Sequence, residues 1–158
     1  MYKKIMVPLD GSELAECVLP HVEAIAKGCS AAEVVLVRAV EPFQMPPYGD
    51  AFGSYAPNVE DIKKADLANQ ARAKEYIEQV AGRVQLGGAK VQTQVLFGKA
   101  ADSLAEYATK NDVDIIVIAT HGRSGVSRWV WGSVSDRILR SACVPVLMVR
   151  APGCIPGI

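Results

Sequence analysis

The stretch DIIVIATHGRSG, residues 114–125, changes character halfway along. Residues 114–120 are almost wholly apolar and rich in isoleucine and valine, the pattern of a strand buried on both faces of a sheet. The residues that follow turn abruptly to His, Gly, Arg and Ser, which read as a loop. A strand covered on both faces needs helices above and below it, so the rest of the chain is read for alternation of strand and helix.

That alternation extends in both directions. KKIMVPL (3–9) is an apolar run closed by DGSE, a turn with a helix-start signal. Leu14, Val18, Val22 and Ile25 then recur at helical spacing, with Pro20 expected to kink that helix or loosen its first turns. EVVLVRAV (33–40) reads as a strand. Residues 41–60 hold four prolines and read as a long surface loop. Residues 61–82 are rich in helix formers and stop at Gly82. AKVQTQVLF (89–97) alternates as a strand does, and residues 100–111 place Ala101, Leu104, Ala105 and Ala108 on one helical face. Beyond the 121–133 segment, Val134, Ile138 and Leu139 mark a short helix, and VPVLMVR (144–150) is a last strand.

Strict alternation predicts an α/β fold: one doubly wound domain over residues 1–150, with a five-stranded parallel sheet, right-handed crossovers and helices on both faces. In strand order 3-2-1-4-5 the switch point falls between strands 1 and 4. Ligands of such sheets bind there, beyond the carboxyl ends of the strands. The segments that would meet are PLDGSE (8–13) and ATHGRSG (119–125). The Pro- and Gly-rich tail, 151–158, is expected to be flexible.

Composition narrows the function classes. The chain has 158 residues, half of them hydrophobic, which suits a single folded domain. Lys plus Arg and Asp plus Glu are 17 each, so net charge gives no reason to expect nucleic acid or a membrane surface as partner. No apolar stretch is long enough to span a bilayer, and the N-terminal apolar run breaks at Asp10, unlike a signal peptide. A cytoplasmic protein is expected. Cys17, Cys29, Cys143 and Cys154 are scattered and read as free thiols. Cys17 and His21, four apart, resemble half a metal site, but no second pair of ligands accompanies them.

Standard nucleotide signatures are missing. A P-loop fails because Gly98-Lys99 is followed by Ala100 and position 93 is Thr. The 119–137 stretch nonetheless has the parts of an anion site: Gly122, Gly125 and Gly132, the cations Arg123 and Arg128, and Gly132-Ser133 leading into a helix N-terminus. Ser133, with Asp136 three residues on, also reads as a simple N-cap. Asp10 reads either as a site carboxylate or as the start of a turn capped by Ser12. His121 reads as a scaffold residue more readily than as a general base, and the spacing of Trp129 and Trp131 does not assign them a role.

On these segments the chain resembles the universal stress proteins, from KKIMVPLDGSE through DIIVIATHGRSG to GSVSDRILRSACVPVLMV. The nucleotide-binding branch of that family carries G-x2-G-x9-G followed by Ser or Thr. Here the pattern falls on Ala119, Gly122, Gly132 and Ser133, so alanine replaces the first glycine. The resemblance implies ATP at the switch point. Pro8 and Asp10 would line the adenosine, with the Asp10 carboxylate near the ribose or a metal, and Ala39 would offer backbone groups to the adenine. Gly122 and Arg123 would meet the phosphates, and Gly132, Ser133 and Val134 would supply backbone N–H groups. Leu9, Ala119 and His121 belong to the same implied set. A Mg²⁺ ion would bridge phosphate oxygens. The resemblance also implies a homodimer through the last strand, Val144 to Arg150. Three functions follow from this reading: an ATP-binding regulatory protein, a slow nucleotide hydrolase, and a dimeric stress protein that binds no nucleotide.

Overall fold

The computed structural model describes residues 1–43, 58–120 and 134–150. Five strands form one parallel sheet: β1 (Lys4–Pro8), β2 (Glu33–Val40), β3 (Lys90–Phe97), β4 (Ile115–Thr120) and β5 (Val146–Arg150). Their order is β3-β2-β1-β4-β5, the order expected from the sequence. The helices are α1 (Glu13–Glu16), α2 (Leu19–Cys29), α3 (Val59–Ala81), α4 (Ala100–Lys110) and α5 (Val134–Ser141).

The strands alternate which face they feed. Ile5, Val7, Val34 and Leu36 point into a core closed by Ala15, Val18, Val22 and Val80 of the α1–α3 side. Met6, Val35, Val37 and Ile116 point the other way, against Ala101, Leu104, Ala108 and Ile138 of α4 and α5. Both faces of β1 and β4 are thereby covered, which explains their unbroken apolar runs. No helix among the described residues is long and apolar enough to cross a membrane.

Several boundaries differ from the sequence reading. The first helix is two. α1 ends in a cap at Cys17, and α2 begins with Pro20 in its first turn. Proline lacks an N–H and is harmless there, whereas inside one continuous helix it would remove a hydrogen bond. The break also separates Cys17 from the exposed His21, so the two share no continuous helix face. α3 starts at Val59, two residues inside the expected loop, because the Asn58 side chain accepts from the Glu60 N–H at 3.2 Å. β5 starts at Val146, after Pro145. On α5, Ile138 is fully buried but Leu139 is 49% exposed, and Ser135 takes the buried position expected of an apolar residue. Most of the expected 41–60 loop and the 151–158 tail lie outside the described residues.

Candidate functional site

β1 ends at Pro8, and Leu9 continues beside β2 by donating its N–H to Val37 O at 2.9 Å. The chain then turns sharply. Asp10 Oδ1 accepts from both the Ser12 N–H at 2.8 Å and the Ser12 hydroxyl at 2.6 Å. Ser12 Oγ accepts in turn from the Ala15 N–H at 3.2 Å and caps α1. Between them Gly11 has φ +86°, a conformation that side chains disfavour. The turn role of Asp10 is therefore built, with Ser12 as the cap.

The sheet opens beside this turn. β1 pairs β4 only at Ile5–Ile115 and Met6–Ile116. β1 stays on β2 as far as Pro8–Val37, and β4 stays on β5 as far as Thr120–Arg150. The two central strands thus part company above Met6, at the switch point. The result is a cavity of about 350 Å³, lined mainly by apolar side chains. Small-molecule sites run from about 300 to 1,000 Å³ and are mostly apolar with a few placed polar groups. Six of the expected residues line it: Pro8, Leu9, Asp10, Ala39, Ala119 and Val134.

Several lining residues escaped the sequence reading. Val37 precedes Ala39 by two on β2 and so shares its face. Ile118 and Leu104 read as ordinary core, and Thr120 and Ser135 are the hydroxyl-bearing residues of the lining. Strand periodicity points to Val37; nothing local distinguishes Leu104. Ala119 lies within β4, paired with Val149, and has no positive φ, so alanine in place of the family's glycine brings no backbone strain. His121, Gly122, Arg123, Gly132 and Ser133, with Trp129 and Trp131, lie outside the described residues.

Electrostatic detail concentrates beside the turn, on the α3 side. Burial and a hydrogen bond to Glu16 push the Tyr76 hydroxyl well above its ordinary pKa. Its O–H donates to Glu16 Oε1 at 3.0 Å, while Glu16 Oε2 pairs with Arg83 at 2.7 Å. Among the described residues no three His, Cys, Asp or Glu side chains cluster to hold a metal. Among the described lining residues, a cation here would draw on the Asp10 carboxylate together with oxygens brought by a ligand. That donor set suits Mg²⁺, which is commonly held by one or two carboxylates together with phosphates and water.

The order of the sheet and the crevice at its switch point define a doubly wound α/β protein. Residues 1–150 match the universal stress protein family, and the chain belongs to it. It is 33% identical over 153 residues to universal stress protein MJ0531 of Methanocaldococcus jannaschii, covering 96% of this chain and 84% of that one. It is 30% identical over 158 residues to MJ0577 of the same organism, covering 95% and 96%. The solved structure of MJ0577 superposes with a TM-score of 0.72 over 97% of this chain and 99% of that one, at 27% identity. A universal stress protein solved in complex with cAMP shares the fold, with a TM-score of 0.61 at 19% identity, covering 95% and 98%.

Proposed function

We propose that the crevice between β1 and β4 binds ATP, and that the protein acts as a nucleotide-responsive regulator rather than as a fast enzyme. The observation that carries this reading is the parting of β1 and β4, which brings Pro8, Leu9, Asp10, Ala39 and Ala119 to one apolar cavity. An adenine ring suits such walls, since it is planar and buries its faces readily. The cAMP complex of a protein with the same fold supports an adenine nucleotide as the class of ligand. The family pattern on Gly122, Gly132 and Ser133 supports a polyphosphate beyond the crevice, with Arg123 as a counter-charge. Asp10 would hold Mg²⁺ jointly with the phosphate oxygens; the ion would offset phosphate charge. In the same reading the chain forms a homodimer through β5.

Calorimetric titration with Mg-ATP, ADP, AMP and cAMP tests the ligand. ATP should bind with the highest affinity and raise the melting temperature by mass action. Gly132→Val should remove most ATP affinity while leaving the circular dichroism unchanged, because a side chain there would intrude where phosphate meets backbone N–H groups. Absence of heat and of any thermal shift with all four nucleotides would refute nucleotide binding. Equal ATP affinity in a folded Gly132→Val variant would instead remove that segment from the site.

A further inference from the structure

Arg38 precedes Ala39 on β2, so strand alternation sends the two side chains to opposite faces of the sheet. Ala39 lines the crevice. The Arg38 guanidinium lies on the α3 side, 5.3 Å from the centroid of the Tyr76 ring. It also meets the turn: a Cβ built on Gly11 would fall onto Arg38 Nη1 and lie 2.9 Å from Cζ. The guanidinium therefore lies over an aromatic ring and abuts the Gly11 backbone. Arg38 Nε is buried and makes no hydrogen bond among the described residues, so stacking on the ring and packing on the turn hold this end of the side chain. The ring is itself tied to α1 through the Tyr76–Glu16 hydrogen bond. The charges of Asp10 and Arg38 both reach the Tyr76 hydroxyl, with opposite effects: Asp10 raises its pKa and Arg38 lowers it, behind the larger effects of burial and Glu16.

We propose that Arg38 is a positioning residue for the site: stacked on Tyr76, it backs the Asp10–Ser12 turn from the far face of the sheet and fixes the Asp10 carboxylate at the crevice. A planar guanidinium can lie on the ring and abut the turn at once, as a lysine ammonium would not. Glycine at position 11 serves the same arrangement, because any other residue would displace the guanidinium and would strain at φ +86°. The consequence for ligand binding rests on the nucleotide reading given above; the support of the turn does not.

The test separates the two. Amide hydrogen exchange of the nucleotide-free protein is measured at Ser12 and Ala15, whose N–H groups close the turn, and at Val22, whose N–H lies within α2. Arg38→Met keeps the aliphatic stem and removes the plane and the charge. Tyr76→Leu leaves Arg38 in place and removes its platform, and it serves should Arg38→Met fail to fold. Each should speed exchange at Ser12 and Ala15 about tenfold, with Val22 unchanged. Unchanged rates at Ser12 and Ala15, or equal acceleration at all three sites, would overturn the proposal. ATP affinity supplies the second readout. Arg38→Met should weaken binding about fivefold, and Asp10→Asn should then cost less in the Arg38→Met background than in the parent, the non-additivity expected of groups that act together. Losses that simply multiply would show that Arg38 does not act through Asp10. If the parent binds no nucleotide, the nucleotide reading fails, and exchange alone decides whether Arg38 holds the turn.

Discussion

At position 10 the structure shows one side chain shaping a turn, and the nucleotide reading gives the same side chain a second task. Oδ1 of Asp10 is committed to the Ser12 N–H and hydroxyl, which shape the turn. Its negative charge is a separate property, and the charge is what a cation beside the phosphates would use. Asp10→Asn keeps an oxygen in the Oδ1 position and removes the charge. It should therefore leave the melting temperature of the nucleotide-free protein nearly unchanged, while weakening Mg-ATP about tenfold, some 1.4 kcal/mol. ATP in the presence of a chelator should weaken much less. Calorimetry on both ligands checks this, and equal losses for the two would remove Asp10 from any metal role. Alanine at 119 and alanine at 39 make a related point. Both are small residues at the carboxyl ends of strands, and their size leaves the cavity open. The sequence displays Ala119 as a departure from a glycine pattern; only the extended backbone of β4 shows that it costs no strain.

Elements were legible where local pattern and tertiary role agree. The bounds of β2 are those expected from EVVLVRAV, because its eight residues pair with β3 along their whole length and the first five pair with β1 as well. The split between α1 and α2 was less legible, since Pro20 signals the same disturbance whether it kinks one helix or opens a second. The parting of β1 from β4, which makes the crevice, was not legible as geometry. It depends on a ladder of two residue pairs between segments more than a hundred residues apart. The opposite end of that ladder is fastened by Asp114, whose Oδ2 accepts from the Lys3 N–H at 2.7 Å and the Lys4 N–H at 2.8 Å. The Lys4 and Lys3 amides hold its carboxyl below the ordinary carboxylate range. A carboxyl depressed in the folded state contributes stability above its unfolded pKa, near about 4, and loses it as pH falls through the lower folded value. Asp114→Ala should therefore cost about 1–2 kcal/mol at neutral pH, a modest figure because solvent is close, and progressively less below about pH 4. Urea denaturation across that range reads the difference; a cost that stays constant down to pH 2 would mean that the carboxylate is not the fastening group.

The whole sheet has two outer edges of different character. β3, at one end, carries Lys90, Gln92, Thr93 and Gln94 between its apolar residues, of which Phe97 at its end is 48% exposed. β5, at the other, reads VLMVR, with Leu147 37% exposed and Val146 and Met148 half-buried. An apolar edge strand whose outer N–H and C=O groups lack a neighbouring strand is an aggregation hazard unless something covers it. A second copy placed about a two-fold axis pairs the edge with itself and closes the assembly, so that no further copies add. Of the two edges, β5 has the more continuous apolar run, four residues before Arg150. The protein should accordingly be a dimer in solution at micromolar concentration. Leu147→Lys places a charge on the β5 edge of both copies, so the substitution should shift the population to monomer. The position is already partly exposed in the monomer, so the fold and the crevice between β1 and β4 should be retained. Multi-angle light scattering of parent and variant, with circular dichroism beside it, makes the measurement. A parent of monomer mass, or a variant that stays dimeric, would show that the β5 edge is not the contact.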